Sequence, residues 1–160
     1  MAEVWTRWLD INNAKENERG YYGIYQIRIV DKVKKEALPI PRIGGVDVNG
    51  IIYIGKAEPQ NSLGNRIDAF VKWRHSGGGT YELVRAGLKV KRHPYWKHQL
   101  QYRVTRLLPD KIAPDLAEIK ELAKYFRKYC ELPPCNSTVP EKWKRFLTEL
   151  EESYGFELRD

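Results

Sequence analysis

YYGIYQIRIV, from Tyr21 to Val30, and GIIYIGKA, from Gly50 to Ala57, are the two clearest strand-forming stretches of the chain. Both are rich in β-branched and aromatic residues, which suit a pleated, half-buried surface. The first alternates weakly and reads as a strand. The second is apolar on both faces and belongs in the middle of a sheet. Each carries a tyrosine and a glycine in a tripeptide: Gly23-Ile24-Tyr25 in the first, Tyr53-Ile54-Gly55 in the second, with Lys56 directly after it.

Working outward, Glu3 to Asn17 is expected to form a short helix with Trp5, Trp8 and Leu9 on one side. Residues 31–49 form a connection with Pro39, Pro41 and Gly44-Gly45, ending in a turn at Asp47 to Gly50. Ser62 can cap a helix from Leu63 to about His75, whose inward face is Leu63, Ile67, Phe70 and Val71. Ser76 to Gly79 should stop it, with a short helix over Tyr81 to Ala86 before Gly87. Leu100 to Leu107 reads as a third strand, and Pro114 opens a helix to about Cys130. Pro133-Pro134 breaks the chain, and Thr138 to Glu141 is a capping box for a last helix through about Glu152. The order is that of a small α/β (α+β) domain, a three-stranded sheet flanked by helices.

The chain has 160 residues, enough to bury one core without metal or disulfide staples. At 42% apolar and 12% aromatic it lies far from the composition of disordered chains. Lys and Arg number 28 against 21 Asp and Glu, a formal charge of +7, which draws polyanions to the surface. No stretch approaches the roughly 20 apolar residues of a membrane span. No signal-peptide core is seen, so a cytoplasmic protein with reduced Cys130 and Cys135 is expected, not associated with membranes.

The two tripeptides, Lys56 and the Leu63-Gly64-Asn65-Arg66 helix start together resemble the GIY-YIG nuclease superfamily. The resemblance spans about Gly20 to Asn136, leaving residues 1–19 as an N-terminal extension and 138–160 as a C-terminal helix of a single domain. It implies neighbouring antiparallel strands and a metal-dependent DNA endonuclease that hydrolyses phosphodiesters by water attack. Tyr25 would orient or deprotonate the water, and Tyr53 would support it by hydrogen bonding. Arg66 and Lys56 would stabilise phosphorane charge. His75 would be a phosphate ligand or a second base. One Mg²⁺ or Mn²⁺ would be held by a carboxylate on the helix after the third strand: Glu118, with Glu121 as the alternative. Asn136, after Pro133-Pro134-Cys135, would bond a phosphate or pin its loop. The connection from Gln26 to Ile52 is far longer than in many members, and its Lys34, Lys35 and Arg42 could touch DNA.

From Arg85 to Pro109 the chain carries Arg85, Lys89, Lys91, Arg92, Lys97, Arg103 and Arg106 with no acidic residue, interleaved with Tyr95, Trp96 and Tyr102. Cations for phosphates and aromatic faces for bases suit a nucleic-acid groove, and Lys89, Lys91, Arg92, Lys97 and Arg103 are its candidates. DNA is the expected partner and RNA is not excluded; a monomer and a homodimer both fit. His93, His98, Cys130 and Cys135 have spacings tolerable for zinc but not specific to it. An inactive nucleic-acid-binding module and a tryptophan-based protein adaptor are the rival functions.

Overall fold

The computed structural model describes residues 4–93, 98–108, 112–136, 148–149 and 151–152. Lys97, the capping box from Thr138 to Glu141 and most of the expected last helix lie outside the described residues. Strand β1 (Leu9–Asp10) leads through a 3₁₀ turn (Ile11–Asn13) to the single helical turn α1 (Ala14–Asn17). There follow β2 (Gly23–Asp31), the hairpin β3 (Ile40–Arg42) and β4 (Gly45–Asp47), and β5 (Ile51–Ala57). Helices α2 (Leu63–Val71) and α3 (Ser76–Val90), strand β6 (His98–Arg106) and helix α4 (Pro114–Tyr129) complete it. Among the described residues no helix is long and apolar enough to cross a membrane.

The main sheet is antiparallel, in the order β1-β6-β2-β5. It has four strands, not the expected three, because the N-terminal segment is not the expected helix. Thr6 exchanges bonds with Val104 along the outer edge of β6, N to O at 2.9 Å and Val104 N to Thr6 Oγ1 at 3.0 Å. Leu9 and Asp10 then pair with Tyr102 and Gln101. The tryptophans face arginines: Arg28 and Arg103 lie 4.4 and 4.6 Å from the Trp8 ring, and Arg103 lies 4.9 Å from Trp5. Such cation–π contacts hold an extended segment that helix propensity alone would have coiled.

Each face of the sheet carries its own core. Tyr25, Ile27, Tyr53, Tyr102 and Val104 pack with Leu63, Ile67 and Phe70 of α2 and Tyr81 of α3. Ile51 and Ile54 pack on the other side with Ile119, Leu122, Tyr125 and Tyr129 of α4. Lys34 and Lys35 of the long connection are exposed. Its hairpin docks on the end of α4: Gly44 N bonds the Tyr129 carbonyl at 2.8 Å, and Arg42 pairs with Glu131 at 3.0 Å. The fully buried Asp47 accepts from the Tyr125 hydroxyl at 3.0 Å, the Tyr129 hydroxyl at 3.3 Å and the Ile51 amide at 3.0 Å.

The glycine run does not stop a helix; it opens one. α2 ends at Val71, and α3 starts at Ser76 and continues through Gly77, Gly78, Gly79 and Gly87. A Cβ at Gly77 would strike the Tyr53 ring, and one at Gly78 the Phe70 carbonyl. Close approach of α3 to β5 and α2 therefore demands these two glycines, while a Cβ at Gly79 would meet nothing within 4 Å. Gly79→Ala should raise stability by about 1 kcal/mol through helix propensity. Gly78→Ala should lower it by about 1–3 kcal/mol through overpacking. Urea unfolding of the two variants checks this opposition of sign.

Candidate active site

Antiparallel pairing sets Tyr25 opposite Gly55 and Ile27 opposite Tyr53, so both tyrosines emerge on one face of the sheet. Their ring centroids lie 5.8 Å apart. Gly55 makes room for them: a Cβ there would sit 2.6 Å from Tyr25 Cζ and 2.7 Å from Tyr53 Cε1. The glycine is thus packed under two rings. Tyr53 goes on to contact Phe70 and His75, with centroids at 5.0 and 5.5 Å.

Arg66 rises from the first turns of α2, whose Ser62 cap accepts from Asn65 N at 3.2 Å. Its guanidinium is half-buried and, among the described residues, makes no ion pair or side-chain hydrogen bond. Burial raises the Tyr25 hydroxyl well above its usual range; the charge on Tyr53 adds to this, Arg66 opposes it and Glu118 adds again. Burial and then Glu118 push Tyr53 up to about 12, against the same opposition from Arg66. Glu118, half-buried on α4, and Arg66 therefore both act on the two phenols. Those phenols are neutral in the free protein, so Tyr25 can orient a water but does not meet it as a ready anion.

His75 caps α3 instead of ending α2, with Nδ1 accepting from Gly78 N at 3.5 Å. The ring proton then sits on Nε2, which is buried and faces the Arg66 backbone at less than ideal geometry. Burial, and secondarily Arg66, lower His75 to about 4. In this tautomer it can donate to an anion and cannot serve as a base through Nε2. The Tyr25 hydroxyl is likewise fully buried, with the Tyr53 hydroxyl as its hydrogen-bonding neighbour. Two buried polar groups with so few partners beside a guanidinium that has no side-chain partner mark a place suited to an anionic ligand.

Other candidates from the sequence lie elsewhere. Lys56 follows Gly55 and so projects from the opposite face, where it bonds Glu58 at 2.6 Å and pairs with Asp115. Asn136 spends both ends of its amide on Ile54, accepting from its N at 2.9 Å and donating to its O at 2.8 Å; it pins its loop to β5. Glu121 is buried beneath the sheet, bonded by Gln26 at 3.3 Å and Lys124 at 2.6 Å, and is not the carboxylate acting on the tyrosines. Arg103 is half-buried between Trp5 and Trp8 and donates to Gln26 at 2.8 Å, so its role is in packing. Lys89, Lys91 and Arg92 are exposed at the end of α3. The sequence did not reveal Phe70, Gly77 and Gly78 as supports of the site; the three glycines after His75-Ser76 were the available signal.

Among the described residues no group of three or more His, Cys, Asp or Glu converges. His98 bonds Tyr81, and Cys130 is exposed while Cys135 is buried. A single carboxylate, Glu118, fits a Mg²⁺ or Mn²⁺ that keeps most of its waters and takes a phosphate oxygen as another ligand. Compared with protein-family models, curated proteins and solved structures, the chain matches none.

The lowered His75 fixes the sign of a pH effect. The unfolded chain, with an ordinary value near 6.5, takes up a proton before the folded one. Stability present above about 6.5 is lost as the pH falls toward 4. His75→Asn keeps an N-cap and does not titrate, so its loss over that window should be smaller in denaturant titrations. Equal losses would exclude His75 as the source.

Proposed function

We propose that the protein is a metal-dependent DNA endonuclease of the GIY-YIG type, hydrolysing phosphodiester bonds at one site. The observation that carries this is Arg66, whose guanidinium has no side-chain partner among the described residues and whose charge, with that of Glu118, acts on the buried Tyr25 and Tyr53 hydroxyls. A scissile phosphate on Arg66 would be bound through two parallel N–H···O bonds, and its developing negative charge would be stabilised most as the phosphorane forms. His75 Nε2–H donates to a second phosphate oxygen. Tyr25 aims the attacking water by accepting its hydrogen bond, and Tyr53 fixes Tyr25; as the new P–O bond forms and the old one breaks, the water's proton passes to a non-bridging phosphate oxygen and the leaving oxygen takes one from solvent. A divalent metal on Glu118 would supply positive charge for the leaving oxygen.

Lys56 supports a second reading. With its ammonium held by Glu58 and Asp115, one of the cations expected on the phosphate is engaged elsewhere. A non-catalytic module of the same fold would bind DNA with strong salt dependence and cleave no form of it.

Supercoiled plasmid with Mg²⁺ or Mn²⁺ separates the two. The wild-type protein should nick it. Arg66→Ala should slow nicking by at least about a hundredfold, in line with loss of a transition-state donor. Arg66→Lys, lacking the planar fork, should recover little. Cleavage by Arg66→Ala at the wild-type rate would refute the assignment, and salt-dependent binding without cleavage by wild type would establish the second reading.

A further inference from the structure

Between α2 and α3 the chain turns through Lys72, Trp73, Arg74 and His75. Trp73 stands there in the left-handed region, with φ 56°. That conformation costs a side chain about 1–2 kcal/mol, and glycine is its usual occupant just past a helix end. The turn is closed by the Trp73 amide on the Phe70 carbonyl at 3.1 Å, a bond that needs no indole. Nor is the indole buried in return. It is 49% exposed, and Arg85, itself held by Glu82 at 2.9 Å, lies 5.8 Å from its centroid. Arg74 is exposed and, among the described residues, has no side-chain partner. Phe70 and His75, which flank the turn, are both in the ring cluster of the site.

We propose that Trp73 is a stacking surface for an unpaired nucleobase next to the phosphate held at Arg66. The preferred substrate is then DNA with an unpaired or splayed nucleotide beside the bond to be cut. This rests on reading the site as one for nucleic acid, and adds the substrate class. In a duplex both faces of each base are covered by neighbours, so only a base out of the stack can lie on an exposed indole. Arg74 and Arg85 supply charge for the phosphates on either side. An exposed aromatic on a strained backbone adds little to the fold and suits a stacking platform.

Fluorescence anisotropy in metal-free buffer tests this without cleavage. Two labelled DNAs of equal length are compared, one fully paired and one with unpaired bases at its centre. Wild type should bind the second about tenfold more tightly, the size expected of one base–aromatic stack. Trp73→Gly should abolish the preference, leave duplex affinity unchanged and not lower the thermal midpoint, since glycine suits the left-handed turn. Trp73→Phe should keep most of the preference. Equal affinity of wild type for both DNAs, or a preference that survives Trp73→Gly, overturns the proposal. A preference present in a protein that nicks no plasmid would contradict the proposed chemistry while upholding the stacking surface.

Discussion

The contact of the Tyr25 ring with Gly55 underlies the geometry of the whole site. A residue with any side chain at position 55 would displace that ring, since even a Cβ would come within 2.7 Å of its hydroxyl. Tyr53 is caught in the same way between Gly55 on the strand and Gly77 on the helix. With both rings held, α3 must begin where it does, and its capping residue, His75, is brought against Tyr53 and Phe70. The site is thus a packing arrangement in which side-chain-free positions leave room for polar rings.

The treatment of buried polar groups differs sharply across the molecule. Asp47 and Glu18 are both fully buried, and both are well satisfied. Asp47 gathers two tyrosine hydroxyls and backbone amides; Glu18 takes the Arg106 guanidinium at 2.9 Å and the Tyr102 hydroxyl at 3.3 Å. Tyr25 and His75, by contrast, have only Tyr53 and the Arg66 backbone as neighbours, and their hydroxyl and Nε2 lack a partner of good geometry, as does Arg42 Nε in the hairpin. The carboxylates tie the hairpin and the N-terminal turn to the body of the fold. Tyr25 and His75 sit where the charge of Arg66 acts on both.

The strands were legible because runs of β-branched and aromatic residues speak directly to local structure, and β2, β5 and β6 differ from expectation by a residue or two at their ends. Their register puts Tyr25 and Tyr53 on one face and Lys56 on the other. Less was legible where long-range contacts decide. The glycines after His75 look like a helix stop in sequence, and only the nearness of Tyr53 and Phe70 explains them as the start of α3. Trp5 and Trp8 suggested an amphipathic helix, yet Arg28 and Arg103, distant in sequence, draw them onto the sheet. Glu118 and Glu121 differ by less than a turn of α4, and tertiary burial of Glu121 against Gln26 distinguishes them.

That last distinction bears most directly on the central claim, that one carboxylate and one guanidinium share a site with two tyrosines. It is tested by plasmid cleavage with Glu118→Gln and Glu121→Gln proteins compared at equal folded concentration. Glu118→Gln should lose cleavage with its unfolding midpoint little changed, whereas Glu121→Gln should cleave at close to the wild-type rate. Full activity in Glu118→Gln, together with loss of activity in a folded Glu121→Gln protein, would contradict the account.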